Sequence, residues 1–327
     1  MDKVKKVICI GSGAKDVFFP TKEAKIIDNP GNLEIKQLMA FEYGAKYQID
    51  DRFEAPGGCA ANCAQGLARL GIDVACYCRV GNDFEGQWVK ENLRREKVDI
   101  SLVQIDDKYK TDLSFILVNM KDGDRTIFFN RDANEKLEIK DDIEAEWVFV
   151  SALNGDWQGS LDKIITQAKA KNVKLAINPG QANLKENKSK VIEFIKNSEI
   201  IIANRDEAIT ITGQNNDDFK FLVQELHKLG PKIVVITDGL NGSVGSNKSE
   251  ILFAPAIKEK PVDLTGAGDA FGAAFLAAII KGRNLSESLQ WGTANGSNVV
   301  KFYGAKEGLL NEKQIIEKAK LVGIKKL

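Results

Sequence analysis

The chain has 327 residues, enough for one large α/β domain with a small accessory element or for two ordinary domains. Hydrophobic residues make up 43% of it and charged residues 28%, which is typical of a globular protein that buries a sizeable core. Lys plus Arg and Asp plus Glu both number 46, and this balance gives no support for a nucleic-acid or anionic-membrane partner.

Short apolar, β-rich runs alternate with helix-like segments along most of the chain. The predicted strands are residues 7–10, 74–80, 147–150, 175–177, 200–203 and 233–237. The predicted helices are residues 60–70, 85–96, 160–171, 188–196 and 219–229. Because the strands are apolar throughout, we expect both of their faces to be buried. The pattern predicts an α/β fold with a mostly parallel sheet flanked by helices on both faces.

Two stretches break this alternation and predict a small β-rich lid. Residues 113–119 and 125–130 flank Asp122-Gly123, a step that favours a hairpin because glycine tolerates a positive φ. Residues 16–56 contain Asn29-Pro30-Gly31 and then residues 43–53, which are predicted to form another strand pair. We assign the lid to residues 16–56 and 109–132, and the nucleotide- and substrate-binding core to residues 1–15, 57–108 and 133–327.

Cysteine and histidine content bears on location and on metal chemistry. Cysteine occurs at Cys9, Cys59, Cys63, Cys76 and Cys78 without CxxC spacing, and His227 is the only histidine. A Cys–His zinc site is therefore not expected, and the thiols are interpreted as reduced core residues of a cytoplasmic protein. The apolar run at the N-terminus is too short for a signal peptide, and residues 270–280 are too few to span a bilayer.

The segment 263–269, with the sequence DLTGAGD, precedes an apolar helix and is the most informative for chemistry. Gly266 and Gly268 allow a tight turn with bare backbone N–H groups, and the helix adds the positive end of its dipole. Together they predict an anion hole for a phosphoryl group, where Asp269 can accept the proton of an attacking hydroxyl. The alternative is that Asp269 is only an acid favoured at a helix start.

A second segment, residues 56–71, combines two glycines with an Ala-rich helix. Gly57 and Gly58 would let a ligand approach the backbone closely, and the Asn62 amide in the first turns of the helix can meet hydroxyl groups. Gly71 is a natural end for this helix. The alternative is a turn followed by an ordinary helix.

These two segments, GGCAANCAQGLARLG and DLTGAGDAFGAAF, resemble the two signature segments of the ribokinase (PfkB) family of sugar and nucleoside kinases. The order and spacing match, as do the opening strand with Gly11 and Asp16 and the hairpin of the lid. The resemblance covers nearly the whole chain. It implies a ribokinase-like fold and ATP-dependent phosphorylation of a hydroxyl on a small sugar or sugar derivative, or alternatively on a nucleoside.

The resemblance also implies roles for individual residues. Asp269 would be the general base, and the anion hole would be formed by Gly266, Ala267 and Gly268. Substrate hydroxyls would be held by Asp16, Gly57, Gly58 and Asn62. ATP would meet Asn204, Glu207, Thr237, Gly239 and Asn298, with Glu207 helping to organise Mg²⁺ indirectly. A monovalent cation, expected to be K⁺, would be bound by Asp263, Thr265 and the loop 303–305. Lid-to-lid pairing in this family implies a homodimer.

Several of these positions have a simpler alternative. Asn204 and Glu207 fit a helix capping box as well as a Mg²⁺ role. Thr237 can simply end a strand, and Asp16 can cap a turn. Arg131, after the hairpin, can face an acidic or phosphorylated substrate, but a solvated charge is the favoured interpretation.

The sequence departs from the family pattern at two places. Cys59 follows the paired glycines where ribokinase has Lys, which disfavours ribose as the substrate, and residues 21–48 are longer than many lids of the family. A rival class, the NAD-dependent oxidoreductases, is suggested by Gly11-Ser12-Gly13 after a strand, but Asp16 stands where GxGxxG requires its third glycine. The acceptor itself is left open among sugars, sugar acids, sugar phosphates and nucleosides.

Overall fold

A computed structural model of the chain describes residues 5–29, 37–49, 51–140, 143–214 and 216–327. A mostly parallel nine-stranded sheet runs through it, as the sequence predicted. Its parallel strands, in order across the sheet, are β6 (Val74–Tyr77), β1 (Lys5–Ile10), β11 (Ala145–Val150), β12 (Lys174–Ile177), β13 (Ile200–Asn204) and β14 (Ile233–Thr237). Three antiparallel strands complete it: β15 (Ser243–Ser246), β16 (Ile251–Ala254) and β17 (Lys325–Lys326).

Helices cover both faces of this main sheet. One face packs against α1 (Cys59–Arg69), α2 (Phe84–Arg95), α7 (Ala267–Ile280), α8 (Leu285–Val299) and α9 (Glu312–Ala319). The other packs against α3 (Trp157–Lys171), α4 (Gln181–Lys196), α5 (Arg205–Thr212) and α6 (Phe219–Lys228). Val7 and Ile8 of β1 lie in the opposite cores because successive side chains of a strand point to opposite faces. None of the described helices is long and apolar enough to cross a membrane.

A separate four-stranded sheet, called the lid sheet below, has the strand order β10-β9-β2-β5. It consists of β2 (Ala14–Thr21), β5 (Phe53–Gly57), β9 (Leu113–Asn119) and β10 (Arg125–Asn130). The predicted hairpin is present between β9 and β10, and Gly123 in its turn has a φ of 77°. The fold therefore has the predicted small β element, whereas the exact domain limits of the lid stay a prediction.

Two sequence expectations about local structure were wrong. Residues 74–80 are two strands, because Cys78 O accepts from Gln104 N and turns the chain from β6 into β7 (Arg79–Gly81), which pairs with β8 (Gln104–Asp106). Residues 43–49 and 51–52 form no strand, and the extra pair is instead β3 (Lys25–Asp28) with β4 (Gln37–Ala40). Of the expected turn Asn29-Pro30-Gly31, the last two residues lie outside the described residues.

The helix predicted over residues 188–196 is present as the second part of a longer helix. Helix α4 begins at Gln181 and continues past Asn187, whose backbone is non-helical with φ −150° and ψ 83°. The Asn187 side chain accepts from Lys190 N, as an N-cap residue does, and so starts the segment that the sequence pattern detected.

Candidate active site

The turn before α7 has the geometry of an anion hole. Gly266 is the residue before the helix and has φ 74°, and a Cβ there would lie 2.2 Å from the Cβ of Ala305, so glycine is needed on both counts. The backbone ladder of α7 begins where Ala270 N donates to Gly266 O. The N–H groups of Gly268 and Asp269 precede that bond and are free of the helix's own ladder. A Cβ at Gly268 would meet no protein atom within 4 Å, so open space lies beside the turn.

Helices α1 and α7 bring Asn62 and Asp269 together. Asn62 Nδ2 donates to Asp269 Oδ2 at 2.8 Å, and one turn further along both helices a Cβ on Gly66 would lie only 2.8 Å from the Cβ of Ala273. From the first contact to the second, the residue numbers increase along both helices. The two helices therefore run parallel, and both N-termini point at the site. The dipoles of two helices therefore favour negative charge near Asp269.

The Asp269 carboxyl is buried, and burial raises its pKa from 3.8 to about 6. Hydrogen bonds from the Asn62 amide and from the thiols of Cys59 and Cys63 act in the opposite direction. Cys63 Sγ lies 3.9 Å from Asp269 Oδ1 and 3.7 Å from the Asp269 carbonyl oxygen. With a pKa near 6 the group is ionised at neutral pH yet still basic enough to take a proton, which suits a general base.

Asp16 on β2 provides a second buried carboxylate. A Cβ on Gly57 would lie only 2.2–2.4 Å from the two carboxylate oxygens of Asp16, so only glycine fits next to this carboxylate. Burial raises the Asp16 pKa to about 6, the Ser114 hydroxyl lowers it, and the charges of Asp263 and Asp269 raise it further. Gly58 has φ 88°, and a Cβ there would meet Ser12 O at 2.5 Å. The paired glycines thus allow the turn that brings Asp16 close to the N-terminus of α1.

A largely apolar cavity of about 180 Å³ opens next to the anion hole. It extends from Ala267 and Gly268 to the end of β14, where the predicted residues Thr237 and Gly239 line it. Its remaining wall includes residues that sequence reasoning did not name as binding residues: Leu240, Ser243, Ala256, Ile257, Phe271, Thr293, Ser297 and Val300. An apolar slot with a polar, glycine-lined end is the shape that a purine base followed by phosphates requires.

Asn204 and Glu207 lie at the carboxyl end of β13, beside Thr237 of the adjacent strand. They form a capping box, in which Asn204 Oδ1 accepts from Glu207 N at 2.8 Å and Glu207 Oε2 accepts from Asn204 N at 3.0 Å. Burial raises the Glu207 pKa to about 7, and no Lys or Arg in the described ranges lies within 4.0 Å of it. A carboxylate without a cationic partner suits indirect Mg²⁺ binding, so the donor set fits that role, which stays a prediction.

Asp263 is fully buried, with 0% of its surface exposed. Its Oδ1 accepts from Thr265 N and Thr265 Oγ1, and its Oδ2 accepts from Gly304 N. These bonds join the anion-hole turn to the loop 303–305, so the residues predicted to bind a cation lie together. The Arg125 guanidinium lies beside the same carboxylate, a neighbour that the sequence did not predict.

Two predicted residues are placed away from these features. Asn298 is not among the cavity-lining residues, because its amide donates to Gly308 O and its oxygen accepts from Lys318 Nζ. Arg131 is exposed and stacks its guanidinium 4.7 Å from the centre of the Phe129 ring. That position agrees with the favoured alternative of a solvated charge.

Comparisons with known proteins identify the family and agree with the fold. The profile of the pfkB family carbohydrate kinases matches residues 37–312. A cytidine kinase of Thermococcus kodakarensis is 31% identical over 261 residues, covering 77% of this chain and 90% of that protein. An ATP-dependent 6-phosphofructokinase of Thermoanaerobacterium thermosaccharolyticum is 27% identical over 282 residues, covering 82% and 86%. The crystal structure of a Methanocaldococcus jannaschii nucleoside kinase superposes with a TM-score of 0.78 at 26% identity, covering 98% and 99%.

Proposed function

The chain belongs to the pfkB family of carbohydrate kinases, and on that premise we propose that it transfers the γ-phosphoryl group of ATP to a hydroxyl of a small sugar or sugar derivative. In this reaction Asp269 takes the proton from the hydroxyl as its oxygen attacks the γ-phosphorus. The bond between that phosphorus and the bridging oxygen of ADP breaks, and the products are a phosphate ester and ADP.

The anion hole and the two helix N-termini support the transfer electrostatically. Charge grows on the transferred phosphoryl group and on the leaving oxygen, and backbone N–H groups fixed in advance stabilise it without reorganising. The N–H groups of Gly268 and Asp269 make no bond in the helix's own ladder and would perform this task, which supports the proposal. Mg²⁺, which neutralises the triphosphate in ATP-dependent transfer, would be held through Asn204 and Glu207.

The observation that carries the proposal is the placement of Asp269. Its carboxylate is held by Asn62, ionises near pH 6, and lies in the first turn of the helix whose N-terminus forms the anion hole. The test is a panel of sugars, sugar acids, sugar phosphates and nucleosides, scored for ADP release in the presence of MgATP. ADP release that rises with one acceptor and requires it supports the proposal. No acceptor-dependent release, together with no ATP binding by calorimetry, would contradict it.

A nucleoside acceptor is the second candidate, and the lid sheet favours it. Asp16 and Phe129 are both paired with Ser114 across the strands, so these three side chains share one face of the sheet. Phe129 is 57% exposed although it lies on the face that carries the acceptor-binding carboxylate. An exposed aromatic ring there offers a stacking surface for a base, which a small sugar does not need.

Phe129→Ala separates the two acceptor classes. If a base stacks on Phe129, the KM for the nucleoside should rise about tenfold, since such a contact contributes about 1–3 kcal/mol, while kcat changes little. Tyr43→Ala is the control, because Tyr43 is an exposed aromatic residue that belongs to none of the strands of the lid sheet. Equal KM values in the wild type and Phe129→Ala for the preferred acceptor would leave a sugar as the acceptor class.

We also propose that two copies of this chain pair through the outer faces of their lid sheets, where the outer face is the one opposite to Asp16. Phe115 is on the face opposite to Asp16, where it stacks on Phe19 with ring centres 4.4 Å apart and meets Phe128 edge-on at 6.1 Å. Phe115 is 38% exposed and Phe128 57%. A contiguous aromatic surface of this kind is typical of an association interface.

A further inference from the structure

The buried carboxylate of Asp263 needs a positive partner. It is fully buried and directly precedes the turn that forms the anion hole. Its hydrogen bonds from Thr265 and Gly304 satisfy lone pairs but carry no net charge. An ionised carboxylate without a countercharge in such a place is strongly disfavoured.

Arg125, the first residue of β10, supplies that charge from the lid sheet. Its Nε lies 4.0 Å from Asp263 Oδ1, and no other Lys or Arg in the part of the chain that the structure describes lies within that distance of Asp263. Arg125 Nε is itself buried and has no hydrogen-bond partner. The separation is too long for a hydrogen bond, so the guanidinium acts on the carboxylate through its charge.

A second contact brings the same hairpin to the same loop. Gly123 has φ 77°, and a Cβ there would lie 3.0 Å from Pro261 O and 3.1 Å from Val262 O. The hairpin turn therefore rests directly on the residues that lead into Asp263. The contact fixes where β10 starts and so places the Arg125 side chain over the carboxylate.

We propose that Arg125 is a positioning residue that neutralises Asp263 from the lid and thereby holds the anion-hole turn in place, so that no free monovalent cation is required. This inference rests on the proposed function. The sequence-based expectation of K⁺ does not fit the residues present, because three hydrogen bonds already occupy most lone-pair positions of the carboxylate and a guanidinium lies next to it. A K⁺ ion at this carboxylate would be repelled by that guanidinium.

The proposal also links the two substrates. The lid sheet carries Asp16 for the acceptor, and through Arg125 it contacts the turn that meets the phosphates of ATP.

The test compares K⁺ with tetramethylammonium, a cation too large for any such site, at equal ionic strength. MgATP affinity is measured by calorimetry and melting temperature without nucleotide, for wild type, Arg125→Gln, Arg125→Lys and the control Lys121→Gln. Lys121 is an exposed cation in the same hairpin turn and controls for a general loss of charge.

Wild type and Lys121→Gln should give the same ATP Kd and melting temperature in both salts. In tetramethylammonium, Arg125→Gln should bind ATP about tenfold more weakly and melt roughly 2–5 °C lower, because one partner of a buried pair is lost. K⁺ should restore much of both losses by entering the vacated space, and Arg125→Lys should behave nearly as wild type.

Two outcomes would overturn the inference. One is a wild type that binds ATP at least tenfold better, or melts several degrees higher, in K⁺ than in tetramethylammonium. The other is an Arg125→Gln variant with unchanged affinity and melting temperature in tetramethylammonium. Absence of ATP binding by the wild type in both salts would refute the proposed function instead, and the melting temperatures alone would then decide the role of Arg125.

Discussion

Gly266 and Gly268 stand two residues apart in the anion-hole turn, yet the structure predicts different outcomes for an alanine at each. A Cβ at Gly268 meets no protein atom within 4 Å, and the backbone there is helical. A Cβ at Gly266 would overlap Ala305 at 2.2 Å, in a backbone with φ 74°. Gly268→Ala should therefore fold normally and place its methyl group in the space for the phosphoryl group, whereas Gly266→Ala should disturb the fold itself.

The size of each effect follows from these contacts. Alanine is favoured over glycine in a helix by up to about 1 kcal/mol. An entropy of unfolding near 2.1 cal/mol/K per residue over 327 residues converts that gain into a rise in Tm of about 1.5 °C at most. The phosphoryl group, however, would be displaced by the methyl, and misplacement by about 1 Å costs roughly 10²-fold in rate. Gly266→Ala should lower Tm by several degrees, since the overlap and the positive φ both strain the native state.

The assay is acceptor-dependent ADP release together with thermal melting for both variants and the wild type. We expect Gly268→Ala to keep the wild-type Tm within about 2 °C and to lose at least about 10²-fold in kcat. A Gly268→Ala enzyme with normal turnover would mean that the phosphoryl group does not lie against this turn. A Gly266→Ala protein as stable as the wild type would refute the steric argument.

The pH dependence and the oligomeric state give two more predictions. Because Asp269 must be ionised to accept a proton and its pKa is raised to about 6, kcat/KM should fall about tenfold per pH unit below pH 6, and a flat profile from pH 5 to 8 would contradict this. The outer face of the lid sheet predicts a dimer in light scattering at micromolar concentration. Phe128→Glu should convert it to monomers, and a monomeric wild type would exclude the pairing.

The main sheet and the chemical signature were predictable because their signals are local. The buried parallel strands are continuous apolar runs. In the GAGD turn, Gly266 has a left-handed backbone, and Gly268 leaves open space beside the turn. The hairpin between β9 and β10 was found for the same reason, from the Asp122-Gly123 step.

The parts that sequence reasoning missed depend on contacts between distant segments. The strand break at Cys78 results from pairing with Gln104, which lies 26 positions further along the chain. The β3–β4 pair, by contrast, joins consecutive strands, and sequence reasoning assigned it to the wrong residues. The contact between Arg125 and Asp263 joins residues that are 138 positions apart in the chain, and no sequence pattern in either segment predicts it. The apolar wall of the cavity beside the anion hole, with Leu240 and Ile257, likewise comes from segments without a recognisable sequence pattern.

The central claim is that Asp269 is the general base, and Asp269→Asn tests it most directly. Asparagine keeps the size of the side chain and can still accept from Asn62, so the anion hole and the ATP affinity should be unchanged. Turnover should fall roughly 10²–10⁴-fold, which is the usual contribution of a positioned general base.

Melting temperature distinguishes this from structural damage. The folded state raises the Asp269 pKa from 3.8 to about 6, so the ionised carboxylate destabilises the fold by up to roughly 3 kcal/mol at pH 7. This destabilisation decreases as the pH falls from about 6 to 3.8, the interval in which the folded state binds the proton more tightly than the unfolded state, and it is absent in the asparagine variant. We therefore predict that Asp269→Asn at pH 7 loses turnover, keeps its ATP affinity and melts no lower than the wild type, whereas near-normal turnover on the preferred acceptor would show that another group is the base.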